Sequence, residues 1–231
     1  VLVVPVYYEI APSYGSGSRD GPFHLLSASV ELEMLDEETF TEWSLPGIHT
    51  LPAVVPTPDP ETAVKEVRRM ARRYLETKKF VLFLGGDHAI TIGLAGAAAE
   101  LYQGIGVLQI DAHLDLRDAY SGSRYNHACV MRRLADDMNI PIVQVAARSF
   151  SPEEAAYVKA NKLSPFLAHQ LDAVDQSWMD RVVERLPETV YLSLDLDGLD
   201  PSVIPGTGTP EPGGLGYRQL IELIRRVGAA R

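Results

Sequence analysis

The chain has 231 residues, 46% of them hydrophobic and 23% charged, a balance typical of one globular domain. Its formal net charge of −10 argues against nucleic acid or an anionic membrane as the main partner and suits a cationic ligand. A single cysteine excludes an internal disulfide, and no apolar run approaches the ~20 residues that span a bilayer. We therefore expect a cytoplasmic protein that binds neither nucleic acid nor membrane.

Short apolar, β-branched segments predict strands that are covered on both faces. In chain order they are residues 1–7, 51–55, 80–84, 105–110, 142–145 and 190–194. Pro52 weakens the second of these predictions, because proline cannot donate a hydrogen bond within a sheet.

Helical patterns separate these strands. The clearest helix begins after Asp59, a favourable N-cap, with Pro60 at its first position, and its apolar stripe consists of Val64, Val67, Ala71 and Tyr74. Further helices are predicted at residues 90–101, 128–137, 152–161, 177–186 and 217–227. This alternation predicts an α/β fold, a single three-layer αβα domain with a mostly parallel sheet.

Three of the predicted strands run into acidic and imidazole residues, at the strand ends where ligands bind in open parallel sheets. The segments are Gly-Gly-Asp-His at 85–88, Asp-Ala-His-Leu-Asp at 111–115 and Asp-Leu-Asp-Gly-Leu-Asp at 195–200. A lone Asp after a strand is most often a cap or turn residue. Here two His and six Asp are predicted to meet at one end of one sheet, where the carboxylates would repel one another without cations.

The composition of this cluster indicates the metal that it suits. Carboxylates outnumber imidazoles and no thiolate is nearby, so Mn²⁺ fits better than a structural zinc. The candidate ligands exceed what one ion needs, which favours two ions bridged by shared carboxylates and a water. Such a pair lowers the pKa of the bound water towards neutrality.

The segments 85–88, 111–115 and 193–201 resemble, in order and separation, the three signatures of the ureohydrolases, the group of arginase, agmatinase, guanidinobutyrase and formimidoylglutamase. The resemblance covers almost the whole chain and implies an arginase-like fold with two Mn²⁺ ions per subunit. It implies one ion held by His88, Asp111, Asp115 and Asp195. The other ion would be held by Asp111, His113, Asp195 and Asp197, so that Asp111 and Asp195 bridge the pair.

The same resemblance implies hydrolysis of a small cationic guanidino substrate to urea and a primary amine. Asp197 would help to stabilise the tetrahedral intermediate, and His127 is similar to the family's proton-shuttling histidine, although Ala128 follows it in place of the usual glycine. Residues 13–22 resemble a pattern of agmatinase-type members. Agmatine, cleaved to putrescine and urea as in polyamine biosynthesis, is therefore the expected substrate.

Two charged residues are expected to have no catalytic role. Glu211 lies in the Pro- and Gly-rich segment 205–214, where we expect it to shape the loop. Arg148 resembles a family element after the fourth strand and is expected to be structural or to lie at a subunit contact.

Alternatives remain at this level. The same chemistry could act on arginine, guanidinobutyrate or formimidoylglutamate. A deacetylase of similar fold would keep a single zinc, which the full ligand set argues against. A non-catalytic, metal-stabilised subunit also stays open, because the sequence stops at Arg231, before the further family strand that carries the guanidinium-binding Glu. We thus expect residues 1–231 to form one catalytic domain, C-terminally incomplete relative to the family, and the family implies a homotrimer or homohexamer.

Overall fold

Seven strands, all paired in parallel, form the centre of the fold. The computed structural model describes residues 1–231. The strands are β1 Leu2–Val6, β2 His49–Thr50, β3 Val81–Gly85, β4 Gly106–Ile110, β5 Ile142–Ala147, β6 Phe166–Leu167 and β7 Val190–Leu194. The predicted strands 1–7, 80–84, 105–110, 142–145 and 190–194 are confirmed to within two residues at each end.

Hydrogen bonding divides these strands into two sheets, with the orders β2-β1-β3 and β6-β5-β4-β7. The central strands β1 and β4 are buried at every residue. Strands β3 and β7 each pair on one side only, and they are correspondingly more exposed, with Leu82 at 45% and Leu192 at 38%. The carboxyl ends of β3, β4 and β7 nevertheless lie close together, since His88 after β3 contacts Asp111 after β4 and Asp195 after β7.

The predicted strand 51–55 is wrong. Strand β2 covers only His49–Thr50, and beyond it the chain follows β1 through separate backbone bonds, from Leu51 N to Val3 O and from Val54 N to Pro5 O, both 2.8 Å. Pro52 has no N–H to donate, so a continuous ladder cannot form at this edge.

Seven helices accompany the strands. They are α1 Gly21–Ser29, α2 Pro60–Leu75, α3 Ile90–Leu101, α4 Val130–Arg132, α5 Pro152–Ala160, α6 Ser177–Arg185 and α7 Tyr217–Ala230. Asp59 caps α2 as predicted, since its side chain accepts from Thr62 N at 2.9 Å. Helix α1 was not predicted. None of the helices combines the length and apolar character needed to cross a membrane.

Helices cover both faces of the strands, which confirms the α/β class. Leu108 and Ile110 of β4 pack against Trp178 of α6 and Leu223 of α7. On the opposite face, Val107 packs in a cluster with Ile92 of α3. A third apolar cluster joins β1 to α2 and α3.

The single helix predicted at 128–137 is instead divided into three short helical segments of different type. A 3₁₀ turn at His127–Cys129 precedes α4, and a π turn follows at Arg133–Asp137. The wider π turn accompanies a fully buried Arg133, whose guanidinium binds Asp118 and Asp137 at 2.7 and 3.1 Å. The segment buries Arg133 while its two carboxylate partners remain exposed, a feature that a regular helical pattern does not reveal.

Candidate metal centre

The loop after β3 carries His88 and is fixed by backbone contact with the segment that follows β1. A Cβ at Gly86 would lie 2.4 Å from the Tyr8 carbonyl oxygen, so only glycine permits this approach. The Asp87 carboxylate then accepts from Ala89 N at 2.9 Å and from Ile10 N at 3.1 Å. These bonds hold the loop, and with it the His88 side chain, in one position.

The loops after β4 and β7 also approach each other closely. A Cβ at Gly198 would lie 2.9 Å from Asp111 N. The backbone N–H of Asp195 donates to Ile110 O at 2.9 Å, and that of Ala112 donates to the Asp197 carboxylate at 3.0 Å. Two acidic segments are thereby held against each other at the carboxyl ends of neighbouring strands.

His88 is the centre of the first group of potential ligands. Its Nδ1 lies 3.2 Å from Asp111 Oδ2, 2.8 Å from Asp115 Oδ2 and 3.6 Å from Asp195 Oδ2. Its other ring nitrogen, Nε2, lies 2.8 Å from the buried Ser193 hydroxyl. Ser193 therefore orients the imidazole with Nδ1 towards the carboxylates.

His113 is the centre of the second group. Its Nδ1 lies 3.4 Å from Asp111 Oδ1 and 3.2 Å from Asp197 Oδ2. The Thr209 hydroxyl donates to Asp197 Oδ2 at 3.1 Å. Asp111 belongs to both groups, with one oxygen facing each imidazole, whereas Asp195 lies with His88 and Asp197 lies with His113.

Burial of the cluster disfavours the charged form of each group, whereas neighbouring groups of opposite charge favour it. The pKa values of its residues are therefore shifted in different directions. Burial and the neighbouring Asp111 raise the pKa of Asp115 to about 6, and burial with Asp111 and Asp197 raises that of Asp195 well above its usual range. Burial also favours neutral His113, yet hydrogen bonds to Asp111 and Asp197 outweigh it and raise its pKa to about 11.

The pKa values of His88 and Asp111 are shifted by the same two effects, burial and contact with groups of opposite charge. Burial favours neutral His88, but its contacts with Asp111 and Asp115 raise the pKa of the imidazole well above 6.5. Burial likewise favours neutral Asp111, and hydrogen bonds with His113 and His88 hold its pKa below the usual range nonetheless. Protonated imidazoles thus compensate part of the carboxylate charge.

The donor set fits divalent cations. Within His88, Asp111 and Asp195, and again within Asp111, His113 and Asp197, the ligand atoms lie within 4.8 Å of one another. Carboxylate oxygens predominate, with one imidazole nitrogen in each group, a combination that suits a hard or borderline metal. Asp115 extends the first group through its contact with His88.

His127 lies beside Asp87, the residue that precedes His88 in the loop after β3. Its Nε2 lies 2.9 Å from the Ser13 hydroxyl, and its Nδ1 lies 3.9 Å from Asp87 Oδ2. The Tyr120 ring packs edge-on against the imidazole, and the Tyr120 hydroxyl lies 3.3 Å from Ser13 Oγ. Ser13 and Asp87 were not predicted as neighbours of His127, because they come from segments far from it in the chain.

Other residues around the ligands were also missed. Ser193, Gln109 and Gln144 lie within strands whose apolar character dominated the prediction, although a buried polar residue in such a strand is itself a signal. Thr209 lies in a segment whose many glycines and prolines conceal its contact with Asp197.

Comparison with known proteins establishes the class of this fold and site. The model of the arginase family matches residues 1–231, and the chain belongs to this family. A relative described as N(1)-aminopropylagmatine ureohydrolase, from Synechocystis sp., is 37% identical over 235 residues, which cover 98% of this chain and 76% of the relative. An agmatinase from Pyrococcus horikoshii is 32% identical, covering 96% of this chain and 77% of the relative.

A solved structure gives the same result. The agmatine ureohydrolase of Thermoplasma volcanium has a TM-score of 0.89 and 29% identity, covering 99% of this chain and 78% of that protein. The ureohydrolase resemblance and the arginase-like fold predicted from the sequence are confirmed. The chain is an agmatinase-like hydrolase of the arginase family.

Proposed function

We propose that this protein binds two Mn²⁺ ions and hydrolyses a guanidino compound to urea and a primary amine. The observation that carries the proposal is the pair of adjacent ligand groups that share Asp111. One carboxylate with an oxygen facing each imidazole suits two neighbouring cations. The proposed catalytic unit is residues 1–231.

The residues of the cluster divide between the two ions. As the resemblance implies, His88, Asp111, Asp115 and Asp195 would hold one ion, and Asp111, His113, Asp195 and Asp197 the other. When bound, the ions supply positive charge and an activated water for attack on the guanidinium carbon. Asp197 is assigned a second role, stabilisation of the tetrahedral intermediate by charge and hydrogen bonding. Two hydrogen bonds support this role by fixing its carboxylate, one from the backbone N–H of Ala112 and one from the side-chain hydroxyl of Thr209.

His127 is the proposed proton donor to the leaving amine. Its Nε2, beside the exposed Ser13 hydroxyl, can take up a proton from the solvent side and deliver it at the rim of the site. An imidazole is suited to this exchange at neutral pH. Asp87 Oδ2 lies on the other side of the ring, 3.9 Å from Nδ1.

Agmatine is the substrate proposed from the sequence, with putrescine and urea as products. A second candidate, N(1)-aminopropylagmatine, is favoured by the higher identity of the relative that carries that name, 37% against 32% for the agmatinase. Both substrates are cationic, which agrees with the net charge of −10, since an acidic protein attracts cations to its surface.

The test is urea release by the Mn²⁺-loaded protein with agmatine, N(1)-aminopropylagmatine, arginine and guanidinobutyrate compared side by side. We expect turnover of the first two, and the ratio of their kcat/KM values decides between them. Selective turnover of arginine or guanidinobutyrate would keep the chemistry and replace the substrate. No urea from any compound, with two ions bound, would support the non-catalytic alternative.

Asp115→Asn tests the ligand assignment. The amide cannot supply the negative charge of the carboxylate, so the first ion should bind more weakly and kcat should fall by orders of magnitude. Asp180→Asn, on the outer surface of α6, is the matched control and should leave urea release unchanged. Near-wild-type activity in Asp115→Asn would remove Asp115 from the ligand set.

We further propose a cytoplasmic homotrimer or homohexamer. Exposed apolar side chains between residues 23 and 48 support a subunit contact, among them Phe40 at 78%, Val30 at 76% and Leu45 at 72%. Light scattering coupled to size-exclusion chromatography measures the state directly, and a monomer at micromolar concentration would contradict this part of the proposal.

A further inference from the structure

Two glutamines lie opposite each other on neighbouring strands beneath the metal centre. Gln109 of β4 and Gln144 of β5 are register partners, and they are 0% and 3% exposed. They lie on the face of the sheet that packs against Ile92 and Leu134, where a buried amide is unfavourable unless it is hydrogen-bonded. The partners of these amides therefore indicate what the pair does.

The two amides form a directed chain of hydrogen bonds that ends on a proposed metal ligand. Gln144 Nε2 donates to Gln109 Oε1 at 2.6 Å and to the Leu114 carbonyl at 2.7 Å. Gln109 Nε2 donates to Asp111 Oδ2 at 2.9 Å and to the His113 carbonyl at 3.4 Å. Each amide has two hydrogens, so all four are engaged.

The chain fixes which way the Gln109 amide points. Because Gln109 Oε1 accepts from Gln144, its NH₂ group must face Asp111. A flipped amide would lose the bond from Gln144 and set its oxygen against a carboxylate oxygen. Gln144 therefore controls the orientation of Gln109, and Gln109 holds the carboxylate.

We propose that Gln109 and Gln144 are positioning residues that pre-set the Asp111 carboxylate for cation binding. This inference rests on the proposed role of Asp111 as the shared metal ligand. A neutral amide fixes Oδ2 without adding a positive charge, so the carboxylate keeps its full attraction for a divalent cation. The same pair also binds the carbonyls of His113 and Leu114, which fixes the turn that presents the His113 imidazole.

The experiment titrates Mn²⁺ alone into chelator-stripped protein by calorimetry. Gln109→Met removes the donor at similar volume and should weaken Mn²⁺ binding by about 10- to 100-fold, as loss of a residue that orients a ligand typically does. Gln144→Met should weaken Mn²⁺ binding less, because Gln109 keeps its donor and loses only the hydrogen bond that fixes the orientation of its amide. The double variant should lose far less than the product of the two single losses, because Gln144 acts through Gln109.

Leu108→Met is the matched control. Leu108 lies on the same strand, is equally buried and packs on the opposite face of the sheet, so this variant should keep the wild-type Mn²⁺ affinity. The unfolding midpoints of the metal-free variants report separately on any loss of packing. An equal loss of affinity in Leu108→Met and Gln109→Met would overturn the proposal, since general core packing would then explain both.

Asp111→Asn separates this inference from the proposed function. Wild-type affinity in Gln109→Met, with binding abolished in Asp111→Asn, overturns the positioning role and leaves the metal centre standing. Unchanged affinity in Asp111→Asn, or no Mn²⁺ binding by the wild-type protein, overturns both.

Discussion

At the scale of single residues, the metal centre without cations is a set of charges that balance one another. The carboxylates around His113 raise its pKa to about 11, and those around His88 raise its pKa well above 6.5. In the metal-free protein these contacts favour the protonated form of both imidazoles. A metal ligand must be the neutral imidazole, so a cation can bind only if it displaces these protons.

Mn²⁺ binding at pH 7.5 is accordingly predicted to release protons, on the order of two per chain. Protons compete with the metal for the same nitrogens, so affinity should fall as the pH is lowered. It should fall further near pH 6, where Asp115 with its raised pKa of about 6 also becomes protonated. Calorimetry in two buffers of different ionisation enthalpy measures the number of protons released.

The control is His24→Gln, a substitution of a histidine outside the centre, which should leave the proton release unchanged. Identical binding enthalpies in the two buffers would contradict the prediction, because they would mean that no proton leaves with metal binding.

At the scale of elements, the loop after β7 is held by one guanidinium. Arg148 Nη2 donates to the carbonyls of Asp197 and Glu211, each at 2.6 Å, and Nε donates to that of Pro212 at 3.1 Å. Every one of these acceptors is a backbone oxygen. Arg148 is thus a clamp that ties β5 to the segment carrying Asp197, and Glu211 takes part through its backbone.

Arg148→Lys should loosen this loop, because an ammonium group is a point charge that cannot span several carbonyls in the way a planar guanidinium does. We expect a loss of about 1–3 kcal/mol in the free energy of unfolding, the cost of leaving buried polar groups unpaired. Urea denaturation of the metal-free protein measures that loss, and limited proteolysis should detect faster cleavage within residues 203–213.

Arg69→Lys, at an exposed position on α2, is the matched control for the change of cation. If Arg148→Lys is as stable and as protease-resistant as this control, the clamp does not hold the loop.

At the scale of elements, local sequence patterns predict some features of the structure and miss others. Apolar runs located five strands, and the Asp59 cap located the start of α2, because both signals lie within a few residues. The three acidic segments predicted the cluster because parallel strands bring their carboxyl ends together. By contrast, Ser13 and His127 are 114 residues apart, and no local pattern predicts their contact.

Two other differences between the predicted and the observed structure have physical causes that the periodicity of the sequence does not reflect. Buried Arg133 and its two carboxylate partners accompany the change from a regular helix to a π turn. The Gln109–Gln144 pair was absorbed into runs of apolar residues, since one polar position in five or six does not change the strand prediction. Its importance depends on register, which becomes visible only once β4 and β5 are paired.

At the scale of the whole molecule, cations should stabilise the fold. They bind only the folded cluster, and mass action predicts about 2.7 kcal/mol when free Mn²⁺ is 100 times Kd. Binding also relieves the repulsion among buried carboxylates. We therefore expect the unfolding midpoint to rise with Mn²⁺ concentration and to fall when a chelator is added, as differential scanning calorimetry can measure.

Asp111→Asn is the appropriate comparison, because it removes the carboxylate shared by both ligand groups. Its midpoint should respond weakly to Mn²⁺. An equally large rise in the variant would mean that the stabilisation arises elsewhere on the molecule.

Three proposed ligands of the first ion come from distant parts of the chain. His88 follows β3 in one sheet, whereas Asp111 and Asp195 follow β4 and β7 in the other. An ion held by all three would join distant parts of the chain as a reversible cross-link, much as a covalent bridge does. Proteases in a cell attack the transiently opened form, so the manganese supply would govern how long each molecule survives.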